Sequence, residues 1–147
     1  FDPRGKRASD PRWTGGREAL NQFTDGFPWL LISQASLDDL NARLPAPLPM
    51  NRFRPNIVID GTAPYVEDRA AAFMLDGVTF RPVKPCTRCA ITTTDQASAE
   101  RTGEEPLRTL RSYRYSEELK GVLFGQNLAL EEGIGREVRV GQNVEVS

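Results

Sequence analysis

The sequence contains no histidine and only two cysteines among its 147 residues. Histidine is the commonest general base and metal ligand, so its absence excludes Ser-His-Asp and Cys-His catalysis and histidine-containing zinc sites. Two cysteines are too few for a disulfide-stapled secreted scaffold, or for a four-cysteine zinc or iron–sulfur site within one chain. These absences favour a reducing compartment, and we expect a cytoplasmic protein.

Long apolar runs and an excess of charge of one sign are also missing. No segment approaches the roughly 18 apolar residues that a membrane-spanning helix needs, so we expect no membrane span. The formal net charge is −1, whereas dedicated nucleic-acid binders usually carry a strong basic excess. We therefore expect neither nucleic acid nor a membrane as a partner.

The chain is short enough to form a single domain. Its first 22 residues combine prolines and glycines with no apolar periodicity. This composition predicts a flexible tail or linker over residues 1–22, because such segments lack the apolar face that a packed element buries. Residues 23–147 are then expected to form one folded domain.

Short apolar and β-branched segments dominate the rest of the chain. Ser36 resembles the N-cap of a helix that ends at Pro45, and Pro106 resembles the first residue of a second helix. About seven strands with two or three helices predict an α+β, mostly β, barrel-like domain. The strand predictions comprise residues 29–32, 57–59, 78–83 and 90–94, two strands around a bend at 125–127, and a hairpin over 138–146.

The segment Lys84–Cys89 carries the strongest chemical signal, because it places Cys86 and Cys89 beside basic residues. Neighbouring cations favour the thiolate form of a cysteine, and thiolates are soft ligands for transition metals. Two other interpretations stay open. Both cysteines could be small buried core residues, or they could form a redox dithiol. A redox pair usually opens a helix, whereas β-branched residues follow Cys89.

A second group of candidate residues is basic. Arg108, Arg111 and Arg114 recur at every third position of the second predicted helix, and Arg101 precedes them. Arginine binds phosphate and other anions in a bidentate manner, so this row is a candidate anion-binding face. A solvated helix face is the alternative interpretation of the same row.

Several motifs occur in a fixed order along residues 27–146. They are Phe53-Arg54-Pro55-Asn56-Ile57-Val58-Ile59, Glu67-Asp68, Lys84-Pro85-Cys86-Thr87-Arg88-Cys89, Thr93-Thr94-Asp95, Glu105-Pro106-Leu107, Leu110-Arg111-Ser112-Tyr113-Arg114 and Phe124-Gly125-Gln126-Asn127. Together they resemble the MOSC domain, which is named for the C-terminal region of molybdenum cofactor sulfurase. Within that family, the similarity is greatest to the mitochondrial amidoxime-reducing component and its bacterial relatives.

The resemblance implies a molybdenum site and a MOSC-type β-barrel with a few peripheral helices. In relatives the second cysteine of the loop binds molybdenum, so Cys89 is the expected metal ligand and catalytic residue. Cys86 would then be auxiliary or structural. The family's contacts to molybdopterin and its phosphate correspond to five further residues, namely Arg54, Asn56, Thr87, Arg88 and Asn127.

The resemblance also implies a molybdenum-dependent oxidoreductase, or a domain of one. Its substrate would be a small N-hydroxylated compound, and its electrons would come from a cytochrome b5-, ferredoxin- or flavin-type protein. Pyridoxal phosphate binding enters only by association, through the sulfurases that accompany some MOSC domains.

Two alternatives to the reductase stay open. One is a sulfur carrier that holds a persulfide on Cys89, and the other is a non-catalytic cofactor-binding or structural module. Relatives also carry an N-terminal β-rich subdomain that closes over the cofactor. We therefore expect this chain to be either a fragment or a shortened protein.

Overall fold

The computed structural model describes residues 7–16, 19–21, 26–101 and 103–147. Three α-helices lie among these residues: α1 (Pro11–Thr14), α2 (Gln34–Asn41) and α3 (Leu107–Tyr113). Three short 3-10 helices span Met50–Phe53, Val66–Asp68 and Ala90–Thr93. The strands in chain order are β1 (Arg7–Ala8), β2 (Leu20–Asn21), β3 (Trp29–Ser33), β4 (Ile57–Ile59), β5 (Phe73–Leu75), β6 (Val78–Thr87), β7 (Tyr115–Ser116), β8 (Gly121–Glu132) and β9 (Glu145–Val146).

Seven of these strands form one curled, half-barrel sheet. Its order is β4-β3-β8-β6-β5-β9, and β7 pairs with β8 beside this path. Strands β3 and β4 are parallel, whereas the other pairs are antiparallel. The predicted α+β, mostly β class is thereby confirmed.

Apolar side chains on the two faces of β3 belong to two separate clusters. Leu31 and Ile32 are adjacent and fully buried, and successive side chains of a strand point to opposite faces. Leu31 packs with residues of the other strands, namely Ile59, Phe73, Leu75, Val78, Phe80 and Leu128. Ile32 belongs to a second cluster, which combines residues of helices with residues of β8, namely Leu37, Leu40, Phe53, Leu110, Val122 and Phe124.

Strands β6 and β8 pair along most of their length, but with three register shifts. At the last shift, Cys86 lies between Pro85, which faces Gln126, and Thr87, which faces Leu123. One residue of β6 thus opposes two residues of β8. Gly125 lies at this point with φ +81°. A glycine with positive φ at such a mismatch is typical of a β-bulge, which bends the strand and redirects its side chains.

Three predicted β elements differ from the structure. The segment predicted as a strand at 90–94 is the 3-10 helix Ala90–Thr93, because the hydroxyls of Thr92 and Thr93 donate to the carbonyls three residues earlier. The predicted bend at 125–127 lies inside the continuous strand β8. The predicted hairpin over 138–146 is replaced by the short strand β9, which pairs with β5.

The helix starts also differ from their predicted positions. The N-cap of α2 is Ser33 rather than Ser36, and the Ser33 hydroxyl accepts from the Ser36 backbone N–H at 3.1 Å. Ser36 instead lies within the helix, where its Oγ accepts from the backbone N–H of Tyr65 at 2.7 Å. Pro106 precedes α3 as its N-cap instead of occupying its first turn.

The N-terminal segment contains short elements where the sequence predicts a flexible tail. Strands β1 and β2 pair with each other, and the Asp10 carboxylate caps α1. The Lys84 ammonium lies 4.8 Å from the centre of the Trp13 ring, so this segment contacts β6. The described part of this region therefore contains two short strands and one short helix, whereas the flexible tail or linker over residues 1–22 stays a prediction. The division into 1–22 and 23–147 stays a prediction, and residues 1–6, 17–18 and 22 lie outside the described residues.

A polar cluster joins α2, α3 and the chain before the 3-10 helix Val66–Asp68. The Tyr65 hydroxyl donates to Asp39 at 2.7 Å and lies 2.8 Å from the Tyr113 hydroxyl. Arg43 donates to the same Asp39 carboxylate at 2.9 and 3.0 Å. The hydrogen bonds from Arg43, and then from Tyr65, hold the pKa of Asp39 below its usual value. Burial raises the pKa of both tyrosines.

Replacing Gly125 by alanine is expected to destabilise the domain by about 3 kcal/mol. The left-handed conformation and overpacking each contribute about 1–2 kcal/mol, because the new Cβ would lie 2.6 Å from Ile32 Cγ1 and 2.9 Å from the Leu31 carbonyl oxygen. Gly61→Ala is the matched control, with φ +72° and nothing within 4 Å of the added carbon. Urea denaturation measures the loss of unfolding free energy in both variants. Equal losses would contradict a close approach of β3 to Gly125.

Replacing Asp39 by asparagine is expected to lower the unfolding free energy by about 1–2 kcal/mol at about pH 7. Because folding lowers the pKa of Asp39, its contribution is complete above the unfolded value of about 3.9 and is lost as the pH falls through the lower folded value. Thermal unfolding at about pH 7 and about pH 2.5 measures the difference in unfolding free energy between wild type and variant. This difference should be smaller at the acidic pH. Asp38→Asn, at an exposed neighbouring position, should show a smaller difference at both values.

Candidate functional site

All six residues expected at the site line one cavity of about 370 Å³. They come from four parts of the chain that the sheet brings together: the end of β6, the residues before β4, the middle of β8 and the N-cap of the 3-10 helix Ala90–Thr93. The described lining residues include two arginines and no carboxylate. The full lining is Gly26, Phe27, Leu30, Phe53, Arg54, Asn56, Cys86, Thr87, Arg88, Cys89, Ile91 and Asn127.

Cys89 presents an exposed thiol at this cavity. It follows the end of β6 and caps the 3-10 helix Ala90–Thr93 through its backbone. Its carbonyl oxygen accepts from the Thr92 backbone N–H at 3.2 Å and from the Thr92 hydroxyl at 2.9 Å. These bonds hold the Cys89 backbone, while the sulfur stays accessible from solvent.

Two hydrogen bonds hold the Arg88 side chain at the cavity. Its Nη2 donates to the Phe53 carbonyl at 2.7 Å, and its Nη1 donates to the Cys86 sulfur at 3.0 Å. The Arg88 backbone N–H also donates to the Val122 carbonyl at 2.8 Å. The buried Nε–H of Arg88 has no hydrogen-bond partner among the residues that the structure describes. This guanidinium is thus fixed in place with donor capacity to spare.

Arg54 and Asn56 line the cavity next to the start of β4. Arg54 ends the 3-10 helix Met50–Phe53 in the left-handed conformation, with φ 56°, and its side chain is exposed. Asn56 is tied to Leu30 of β3, because its Oδ1 accepts from the Leu30 N–H at 2.8 Å and its own N–H donates to the Leu30 carbonyl at 2.9 Å. The side-chain amide nitrogen of Asn56 (Nδ2) therefore remains as the donor that this residue can offer to a ligand.

Thr87 and Asn127 line the cavity from the paired strands β6 and β8. Thr87 is the last residue of β6 and is exposed, whereas Asn127 is half-buried in β8, opposite Lys84 and Leu30. Between them they offer a hydroxyl and a side-chain amide, which can donate or accept hydrogen bonds. The structure thus brings every predicted site residue to one place.

The predicted arginine row does not form a single face. Arg108 and Arg111 line a second cavity of about 770 Å³ together with Arg101. Arg114 is mostly buried instead, with an ion pair to Asp68 at 2.6 Å and a hydrogen bond to the Leu123 carbonyl at 3.2 Å. Arg114 therefore joins structural elements, and the interpretation of the whole row as one anion-binding face is wrong.

Sequence reasoning missed the apolar and backbone contributions to the cavity. Phe53 supplies the carbonyl that holds Arg88, and its ring packs in the core 4.5 Å from that of Phe124. Ile91 is exposed at the cavity wall, although its β-branched neighbours suggested a strand. The signal for Phe53 was its position next to Arg54, but nothing in the residue type indicates the use of its carbonyl.

Nowhere in the described part of the chain do three or more histidine, cysteine or acidic side chains come together in a group that could hold a metal ion. None of the helices in the same residues is long and apolar enough to cross a membrane.

The amino-acid sequence is also similar to those of known proteins. "Mitochondrial amidoxime-reducing component 1" of Mus musculus is 41% identical over 115 residues, which are 74% of this chain and 34% of that protein. "Mitochondrial amidoxime reducing component 2" of Rattus norvegicus is 39% identical over 128 residues, 83% of this chain and 37% of that protein. "Molybdenum cofactor sulfurase" of Arabidopsis thaliana is 36% identical over 142 residues, 88% of this chain and 17% of that protein.

The chain thus spans little more than a third, at most, of the length of these curated relatives. The family model described as "MOSC domain" matches residues 19–145, which is most of the chain. The chain therefore belongs to the MOSC domain family.

Proposed function

We propose that the cavity at Cys89 binds the molybdenum cofactor, with the Cys89 thiolate as the ligand of the metal. The observation that carries this proposal is the meeting of an exposed thiol with two arginine side chains in a cavity whose described lining includes no carboxylate. The names of the relatives, which include an amidoxime-reducing component and a molybdenum cofactor sulfurase, support the same group.

The donor set suits a cofactor that carries both a soft metal and a phosphate. A thiolate is a ligand of choice for a soft transition metal, and arginine forms charge-assisted hydrogen bonds to phosphate. The Arg88 guanidinium lines the cavity, and each of its terminal nitrogens keeps an N–H beyond the hydrogen bond that holds it, which a bound anion would satisfy. A metal at Cys89 would take its remaining ligands from the cofactor, since the described residues offer no cluster of protein ligands.

Each residue of the cavity then has a distinct part in binding. Arg54 and Arg88 would hold the phosphate, and Asn56, Thr87 and Asn127 would hydrogen-bond the polar edge of the pterin. When bound, the cofactor supplies two-electron redox chemistry at the metal. The chain itself orients the cofactor and, through the apolar walls formed by Phe27, Phe53 and Ile91, limits the access of water on those sides.

The activity that we propose is the reduction of small N-hydroxylated compounds, as part of a molybdenum-dependent oxidoreductase. An electron-transfer protein of the cytochrome b5, ferredoxin or flavin type would supply the electrons. The names of the amidoxime-reducing relatives support this reaction class. Because the chain spans only part of those proteins, the substrate, the electron donor and the cytoplasmic location are proposed for the whole protein to which this domain corresponds.

One observation also favours a second function. The exposed Cys89 thiol could carry sulfur as a persulfide, and a sulfurase is among the relatives. This carrier would not need stoichiometric metal. The experiment below separates the two functions.

Replacing Cys89 by serine is expected to remove the metal from protein purified from a host that makes the cofactor. Wild type should hold about one molybdenum per chain, because the site offers one accessible thiolate ligand. Elemental mass spectrometry measures the metal content. Cys86→Ser is the matched control, since it makes the same sulfur-to-oxygen change three residues away, and it should retain most of the metal.

A different result would redirect the proposal. If wild type contains no molybdenum but intact-protein mass spectrometry shows an additional sulfur atom that Cys89→Ser abolishes, the carrier function replaces the reductase. If the control loses as much metal as Cys89→Ser does, Cys89 is not the distinct ligand that we propose.

Alanine substitution at Arg54 or Arg88 is expected to weaken cofactor retention about tenfold, because each removes a charge-assisted contact to the phosphate. Arg111→Ala, in the second cavity, is the matched control and should retain the cofactor at the wild-type level. Fluorescence of the released and oxidised pterin measures the cofactor content of each variant. Equal retention in all four proteins would contradict a phosphate site at Arg54 and Arg88.

A further inference from the structure

Cys86 lines the same cavity as Cys89 but has a different environment. Cys86 lies inside β6 and is half-buried, whereas Cys89 lies beyond the end of that strand and is exposed. The Cys86 sulfur accepts a hydrogen bond from Arg88 Nη1 at 3.0 Å. The position of Cys86 in the bulged part of the β6–β8 pairing brings its sulfur to the guanidinium. The two cysteines therefore differ in exposure and in hydrogen bonding.

Each terminal nitrogen of the Arg88 guanidinium donates a hydrogen bond to an acceptor in the protein. Nη1 donates to the Cys86 sulfur and Nη2 donates to the Phe53 carbonyl. Phe53 is fully buried in the core, so its carbonyl is a rigid support. A planar guanidinium that is held at both terminal nitrogens cannot rotate about its Cζ–N bonds without breaking a hydrogen bond. Its orientation is thereby set, and the second N–H of each terminal nitrogen is left for a ligand.

We propose that Cys86 is a positioning residue that holds the Arg88 guanidinium in the orientation in which it binds an anionic group in the cavity. This inference rests on the proposed function, because the anion would be the phosphate of the bound cofactor. Cys86 would contact Arg88 rather than the metal or the reacting atoms. The Cys-x-x-Cys spacing then joins two separate roles, a supporting sulfur at Cys86 and a ligand at Cys89.

Sulfur is a suitable acceptor at this position. A carboxylate would accept the same hydrogen bond, but its full negative charge would pair with the guanidinium and oppose the binding of a second anion. A thiol is only a weak acceptor, so it can orient Arg88 while the positive charge stays available to the ligand. The described lining of the cavity is consistent with this arrangement, since it includes no carboxylate.

Nitrogen-15 NMR of the Arg88 guanidinium tests the positioning role without any ligand. We expect separate Nη1 and Nη2 signals in wild type, because both nitrogens are held. Cys86→Ala should speed the exchange of the Nη1 protons about tenfold, which is the order expected for one lost hydrogen bond to a charged group. Cys86→Ser should restore slow exchange, since a hydroxyl oxygen can accept the same bond. Thermal unfolding of each variant identifies any general loss of structure.

A double-mutant cycle tests whether Cys86 acts through Arg88. In protein from a cofactor-making host, Cys86→Ala should lower pterin and molybdenum content about five- to tenfold, and Cys86→Ser should restore it. In an Arg88→Ala background, Cys86→Ala should cause no further loss, because the two residues then share one effect. An equal further loss in that background would overturn the proposal and indicate that Cys86 contacts the cofactor directly.

The two measurements also separate this inference from the proposed function. If no protein holds molybdenum or pterin but the Nη1 signal depends on Cys86 as expected, the proposed cofactor fails while the support of Arg88 by Cys86 stands. If Nη1 exchange is the same in wild type and Cys86→Ala, the positioning role is wrong, whatever the metal content of the wild type.

Discussion

The site depends above all on the irregular pairing of β6 with β8. A regular ladder would keep the end of β6 in phase with β8, but the last register shift sets Cys86 against two residues of the partner strand. Gly125 lies at this shift with a positive φ, which is typical of a bulge, and its lack of a Cβ also lets β8 approach β3 closely. The cavity therefore forms where the sheet departs from regularity, and Thr87 and Asn127 line it from the two sides of that departure.

The same region links the core to the cavity. The Phe53 ring packs against Phe124, which is one of the two bulge residues of β8, and the Phe53 carbonyl holds the Arg88 guanidinium. Asn56 adds a second link, because its side chain and backbone both bond Leu30 on the neighbouring strand. Phe53 and Leu30 thus fix the Arg88 and Asn56 side chains, which lowers the conformational entropy that these two residues would lose when a ligand binds.

Much of this arrangement could be predicted from the sequence, because its signals are local. The apolar runs of β3 and β4 predict strands, and the resemblance to the MOSC domain, which the ordered motifs carry, implies which six residues share the cavity. The 3-10 helix Ala90–Thr93 could not be predicted, since its β-branched residues favour a strand and only the bonds from the Thr92 and Thr93 hydroxyls reverse that preference. Gly125 likewise indicates a bend, and whether a glycine ends a strand or bulges within it depends on the partner strand.

The two cysteines show why residue type alone does not assign a role. They are three positions apart, beside the same basic residues, and the sequence leaves core, redox and metal interpretations open for both. In the structure, β6 ends at Thr87, between the two cysteines. Cys86 falls before that point, where the strand pairing buries half of it against Arg88, and Cys89 falls after it, where the chain turns into a 3-10 helix and leaves the thiol exposed. The difference in their exposure and contacts thus arises from backbone register rather than from their immediate neighbours in sequence.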